Sequence, residues 1–310
     1  MKAIENAVKN AILLKPKEKV LIIYDKNKEE IAKLFYNECK KISDNIKLVK
    51  IKVAKQTRRE PPQNVIRLMK KYDIILGITT ISLTHTKAIR KARKNARIAT
   101  MPDITRKMIP ALNINYKKLQ KICNKLSKYY KRYSIIKIKT KNGTNIKIKY
   151  DKREPQSDDG IMDHIGSLHN LPAGECGIAP LENGSNGRLV IDGAMVGVGV
   201  LKSPLIIDVE NGKIINIFGK NANKLKNIFK KSDKNSTTIA EFSIGLNSKA
   251  KIIGNVLLDE KVMGTCHVAF GDNKSLGGKN KSNVHLDGII KKPTIWFGKK
   301  LIMKNGKLII

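Results

Sequence analysis

The sequence predicts an α/β N-terminal domain with a parallel sheet, followed by a strand-rich α+β C-terminal metal-binding domain. Three observations lead there. Compact apolar runs alternate with amphipathic stretches over roughly the first 130 residues. From Ser134 the texture changes to paired strands joined by Asn-Gly turns. Carboxylates and histidines are then set into the strands of that second half, where strands otherwise carry apolar side chains. The expected division is 1–133 and 134–310.

Each element has its own signature. "KVLIIYD" (19–25) and "DIILGITT" (73–80) are unbroken apolar runs, the mark of strands buried on both faces of a parallel sheet. "KEEIAKLFYNECKKI" (28–42) sets Ile31, Leu34, Phe35, Cys39 and Ile42 on one helical face. "IKLVKIKV" (46–53) alternates as a half-buried strand does, and "RIATM" (97–101) is a short strand. "PPQNVIRLMKKY" (61–72) opens on proline and turns helical, and "THTKAIRKARKNA" (84–96) is a further helix. A long basic helix at 115–133 leads into the second domain. There, Asn142-Gly143, Asn211-Gly212 and Asn305-Gly306 mark hairpins within 134–151, 204–219 and 293–310. Another strand pair lies at 188–200, and one helix, 221–232, interrupts the strands.

Composition narrows the function. Hydrophobic residues make up 41% of the 310 residues, enough for a globular core, and no apolar run approaches the length of a membrane span. The N-terminal stretch has charges scattered through it and no apolar core before a cleavage site, so a cytoplasmic protein without membrane association is expected. Four dispersed cysteines with no CxxC pair argue against a zinc ribbon or a disulfide framework. The net charge of +36 raises the question of nucleic acid, but only ten of the 62 basic residues are arginine and aromatics are 5%. A dispersed, lysine-dominated, aromatic-poor surface has the wrong chemistry for reading bases, so no specific nucleic-acid partner is expected. Against this background, Glu154 to Val200 holds seven acidic residues and a single basic one, Arg188, a reversal that suits a cation site.

The chemistry-bearing residues follow. In "VHLDG" the side chains of His285 and Asp287 share one face if the segment is extended, a good half-site for a divalent metal. Glu175 follows Pro-x-Gly in "NLPAGECGIAP", and Glu241 interrupts the apolar "TTIAEFSIGLN". "LLDEKVMGTCHVAFGDN" carries Asp259, Glu260 and His267. Buried carboxylates need partners, and several of them with two histidines in one strand-rich half point to a shared metal site. Glu260 is expected to orient a ligand rather than to be one. Cys176 and Cys266, one residue from Glu175 and His267, should face the other way as core thiols. His85, at the start of a helix, is expected as a capping or surface residue, and His164 and His169 at the surface or in a pocket wall.

These motifs, in this order, resemble the thermophilic-type metalloaminopeptidases, the aminopeptidase T-like family that includes archaeal "leucyl aminopeptidases". "ARIATMPDITRKM", "NLPAGECGIAP", "GRLVIDGAM", "AEFSIGLN", "DEKVMGTCHVAFGDN", "VHLDG" and the closing "KPTIWFGKKLIMKNGKLI" carry the resemblance over nearly the whole chain. It implies a dimeric cytoplasmic hydrolase that removes N-terminal amino acids from peptides, with two divalent ions (Zn, Co or Mn) activating a water. The family's ligand positions fall on Glu175, Glu241, His267, His285 and Asp287, with Glu241 or Glu175 bridging the metals or moving the proton. Lys274 stands where bacterial members have a tyrosine. At the same motifs the chain is also similar to 2,5-dihydroxypyridine dioxygenases, which hold one Fe(II) by two His and one Asp. That alternative selects His267, His285 and Asp287. A non-catalytic basic binding protein is the third reading.

Overall fold

The computed structural model describes residues 2–56 and 59–310. In chain order the first elements are α1 (Lys2–Ala7), β1 (Val20–Asp25), α2 (Glu29–Lys40), β2 (Ile46–Ile51), α3 (Gln63–Met69), β3 (Ile74–Ile78), α4 (Lys87–Ala92), β4 (Arg97–Thr100) and α5 (Tyr116–Arg132). Then come β5 (Ile135–Lys139), β6 (Asn145–Lys149), β7 (Gln156–Asp158), β8 (Leu168–Asn170), β9 (Glu175–Ile178), β10 (Ser185–Ile191), β11 (Ala194–Met195) and β12 (Gly199–Val200). The last are β13 (Leu205–Glu210), β14 (Lys213–Phe218), α6 (Ala222–Lys230), β15 (Ile239–Gly245), α7 (Val256–Asp259), β16 (Thr265–Gly271), β17 (His285–Lys291), β18 (Thr294–Phe297), β19 (Lys300–Lys304) and β20 (Lys307–Leu308).

The chain forms two compact units, Met1–Gln120 with Asp158–Ala173, and Lys121–Ser157 with Gly174–Ile310. The first is an α/β layer around a five-stranded parallel sheet in the order β2-β1-β3-β4-β8. Leu21, Ile23, Ile75 and Ile98 from its strands pack against Val65, Met69 and Ile89 of α3 and α4. Every residue of β1 and β3 is buried, which is why both read as unbroken apolar runs. The division is not sequential, as 1–133 and 134–310 would make it. Residues 158–173 return to the first unit, where β8 pairs with β4 as a fifth parallel strand. Its three residues, Leu-His-Asn, have no apolar periodicity to announce it.

The second unit is strand-rich and antiparallel. One eight-stranded sheet runs β14-β13-β10-β6-β5-β18-β19-β20 and one seven-stranded sheet runs β12-β11-β17-β16-β15-β9-β7. The Asn211-Gly212 and Asn305-Gly306 pairs both adopt positive φ, the requirement of a two-residue hairpin. Tyr130 of α5 joins the two sheets. Its hydroxyl donates to the Cys176 carbonyl in β9 at 3.1 Å, while its ring lies 4.6 Å from that of Phe297 in β18. Among the described residues no helix is long and apolar enough to cross a membrane.

Candidate metal centre

Four neighbouring strands of the seven-stranded sheet, β9, β15, β16 and β17, carry the cluster. Register explains why sequence-distant residues meet. Glu241 stands opposite Ala269, and Ala269 opposite Asp287. Ser243 stands opposite His267, Gly245 opposite Glu175, and Gly271 opposite His285. Paired residues share a face, and so do residues two apart. Glu175, Glu241, His267, His285 and Asp287 are therefore all on one face. The positions between them on that face are small: Gly177, Ser243, Gly245, Ala269 and Gly271. A side chain at Gly177 would come within 2.5 Å of Ser243 Cβ, so the surface beside the ligands is kept low. A bulge between Ile239 and Glu241 sets the phase of β15.

Three overlapping groups of donors result, each with ligand atoms within 4.8 Å of one another: Glu175–Glu241–His267, Glu241–His285–Asp287, and Glu260–His267–Asp287. His267 Nε2 lies 3.5 Å from Glu175, 3.6 Å from Glu241 and 3.9 Å from Asp287. His285 Nε2 lies 3.2 Å from Glu241 Oε2 and 3.5 Å from Asp287 Oδ1. Donors about 3 Å apart are what metal bonds of about 2.1 Å at roughly 90–110° subtend. The other nitrogen of His285 is fixed: Nδ1 donates to the Asp272 carbonyl at 2.7 Å, leaving Nε2 as the ligand atom.

The donor atoms fit a divalent cation on a further count. Both ring nitrogens of His267 and Oδ1 of Asp287 are buried without a hydrogen-bond partner among the described residues. Buried polar atoms are nearly always satisfied, so a set of them converging on one point calls for a shared partner. Electrostatics agree. Burial opposes charge on His267, yet the Glu241, Glu175 and Asp287 carboxylates outweigh it and raise the imidazole to about 9. Burial likewise opposes charge on His285, and Asp287 and Glu241 push it well above the ordinary imidazole range. Burial also works against Glu241, but the two imidazoles hold its carboxyl well below the usual range. Burial lifts Glu260 to about 8, with Glu175 and Asp287 adding to it against Lys261. A metal ion would replace the protons the histidines hold.

All five expected ligands thus come together in the second unit, and Glu260 lies beside them after α7. Of the acidic stretch 154–200 only Glu175 enters the cluster. Glu182 pairs with Arg153, Asp163 with His164, and Asp158 with His169. Cys176 and Cys266 are buried on the opposite face. His85 and His164 are exposed, while His169 is largely buried. Lys274 is exposed in the turn after Asn273. Sequence reasoning missed two participants. One is the Asp272 carbonyl, which no side-chain pattern reveals. The other is Lys261, fully buried, whose ammonium contacts Glu175 and Glu260.

A family model described as NicX, 2,5-dihydroxypyridine 5,6-dioxygenase, matches residues 13–310. The chain belongs to this dioxygenase family. Among solved structures, 2,5-dihydroxypyridine dioxygenase from Pseudomonas putida KT2440 superposes with a TM-score of 0.86 at 16% identity, covering 99% of this chain and 96% of that one. AmpT from Thermus thermophilus superposes with a TM-score of 0.70 at 13% identity, covering 100% and 98%. No curated protein matches. At such identities the superpositions show the fold alone, an α/β domain plus an antiparallel strand-rich domain, as the sequence predicted.

Membership of the dioxygenase family makes the chain an enzyme and corrects the metalloaminopeptidase reading. Hydrolase and protease are the wrong class, and the alternative drawn from the same motifs is the better one. The physical reason is that the motifs follow the strands and turns of this chain's fold, onto which AmpT also superposes. They do not encode the reaction.

Proposed function

We propose that the protein is a non-haem Fe(II) dioxygenase that opens a dihydroxylated pyridine ring. The observation that carries this is the family match over residues 13–310 on a chain whose buried His267 and half-buried His285 both lie within 4 Å of the Asp287 carboxylate. Two imidazoles and one carboxylate are the ligand set of Fe(II) oxygenases, with positions left open for substrate and O₂. Held by His267, His285 and Asp287, Fe(II) would supply the redox chemistry of O₂ activation. The chain's own residues do the rest. Asp272 orients His285 through its carbonyl. Glu241, kept ionised beside both histidines, is placed to take the proton of a ring hydroxyl. The small residues Gly177, Ser243 and Ala269 leave room on the ligand face for a flat ring. In the reaction named for the family, the ring C5–C6 bond breaks and both oxygen atoms enter the product, so no external reductant is needed.

The test is metal-stripped protein reloaded with Fe(II) under argon and then given 2,5-dihydroxypyridine and O₂. Loss of the ring's near-ultraviolet absorption with one O₂ consumed per ring is expected, and Zn²⁺-loaded protein should be silent. If neither this ring nor other dihydroxylated pyridines or benzenes are opened, the proposal fails.

A further inference from the structure

Among the described residues Lys261 is the one cation in the cluster, and neither the ligand set nor the chemistry above employs it or the two carboxylates it contacts, Glu175 and Glu260. Its side chain is wholly inaccessible to solvent, which lysine tolerates only when paired. Its ammonium contacts Glu175 and lies 2.9 Å from Glu260. The backbone holds it there. The Lys261 amide donates to the Leu258 carbonyl at 3.1 Å, and its own carbonyl accepts from Asn247 at 2.8 Å. Residues 261 and 262 press so closely on β15 that a Cβ at Gly245 would meet the Val262 oxygen at 2.2 Å. The ammonium is thus a fixed charge, delivered by a rigid segment onto the ligand face.

The three donor groups are not equivalent once Lys261 is placed. Glu175 belongs to the first group and Glu260 to the third. The second group, Glu241–His285–Asp287, contains neither carboxylate. A divalent ion in the first or third group shares its carboxylate with a buried ammonium, at a Coulombic cost that low dielectric magnifies. The second group carries no such burden, and His267 stands next to it, 3.6 Å from Glu241 and 3.9 Å from Asp287.

We propose that Lys261 is a built-in cation that takes the place of a second metal ion, confining the divalent ion to the side of His285 and Asp287, within reach of His267, and keeping the cluster mononuclear. This rests on the reading of the cluster as a metal centre. Lys261 would then determine what this face can do. With one ion, Glu175 and Glu260 are held by a monovalent ammonium, which cannot activate a bridging water between two metals.

The experiment is a count of ions, with no reference to turnover. Full-length protein is stripped with chelator, titrated with Mn²⁺ and analysed for bound metal and by electron paramagnetic resonance. Wild type should bind one equivalent and show an uncoupled Mn²⁺ signal. Lys261→Met, similar in volume and uncharged, should bind two and show the signal loss of a spin-coupled pair, whereas Lys261→Arg should stay at one. In Mn²⁺-soaked wild-type crystals, a single anomalous peak should lie by His267, His285 and Asp287 with Lys261 still on Glu175. Two equivalents in wild type, a peak between Glu175 and Glu260, or one equivalent in folded Lys261→Met would each overturn the proposal. If Lys261→Met does not fold, the wild-type count and peak position decide alone. Wild type that binds no divalent ion would instead sink the metal-centre reading itself.

Discussion

His169 and His267 are both buried imidazoles with carboxylates on either side, one in each compact unit. His169 Nδ1 lies 3.0 Å from Asp158, within hydrogen-bonding range, and Nε2 lies 3.9 Å from Asp159. Burial opposes its charge, but Asp158 raises its pKa. Asp158 in turn accepts from the Asn170 amide at 3.2 Å. This is a closed arrangement within the first unit, with His169 and the Asn170 amide both bonded to Asp158. His267 has more carboxylates around it, yet all stand 3.5–3.9 Å from Nε2, too far for hydrogen bonds and the right distance for donors sharing an ion. Proximity of histidine and acid therefore does not identify a metal centre. Unsatisfied donors near polyhedron-edge spacing are what make the His267 cluster a candidate for one.

Mutation should separate the two clusters. Replacing His267 by Ala should weaken Fe(II) or Mn²⁺ binding on the order of 10³-fold, beyond the 10–100-fold typical of groups that only orient a ligand, and should abolish ring opening. His169→Ala should lower the melting temperature while leaving the metal stoichiometry as it was. Metal content after dialysis and thermal melts of both variants make the comparison. Equal metal loss in the two would erase the distinction drawn here.

Acid sharpens the same contrast. In the metal-free cluster His267 is raised from 6.5 to about 9, so it holds a proton that an incoming ion must displace. The apparent metal affinity should fall as pH falls below about 9, by about tenfold per unit for each proton released. For the metal-free fold the sign is opposite. Stability from the protonated imidazole is full below 6.5 and is lost as pH rises through about 9. Competition titrations with a chromophoric chelator, paired with melts of metal-free protein across that window, should show the two trends crossing. A pH-independent affinity would mean that His267 is not displaced by the ion.

The smallest effect belongs to a third histidine. His164 is exposed and pairs with its neighbour Asp163 at 2.7 Å. Exposed pairs contribute little, so His164→Ala should change stability by no more than about 0.5 kcal/mol and leave metal binding as in wild type. A denaturant titration and a metal count check both.

How much of this the sequence disclosed depends on periodicity. The parallel strands declare themselves because double-sided burial makes them apolar throughout, as in "VLIIYD". Glu241 stands out because its strand is otherwise apolar, and His285 with Asp287 because strand period puts them on one face. Register is what the sequence withholds. Nothing in it says that Gly245 faces Glu175 or that Ala269 lies between Glu241 and Asp287. One available sign went unread: Glu175-x-Gly177, Glu241-x-Ser243-x-Gly245 and His267-x-Ala269-x-Gly271 each repeat a ligand and then small residues at period two. Lys261 was hidden by abundance, since in a lysine-rich chain one more lysine beside a glutamate draws no notice. Residues 158–173 were assigned to the wrong unit because β8 is too short and too polar to signal a parallel strand.

The His267 and His285 strands are consecutive arms of one hairpin, zipped from Thr265–Lys291 up to Gly271–His285. Asp272, which steadies His285, closes the last rung with a hydrogen bond to Val284 at 2.8 Å. The rung is thus closed before the connection at 273–283 begins, and Asn280 and Ser282 of that connection bond back to Gly271 and Asp272. Lengthening such a connection is inexpensive, about 0.6 kcal/mol for each doubling. A longer tip between Asn273 and Asn280 would therefore leave both those bonds and the candidate ligands in place.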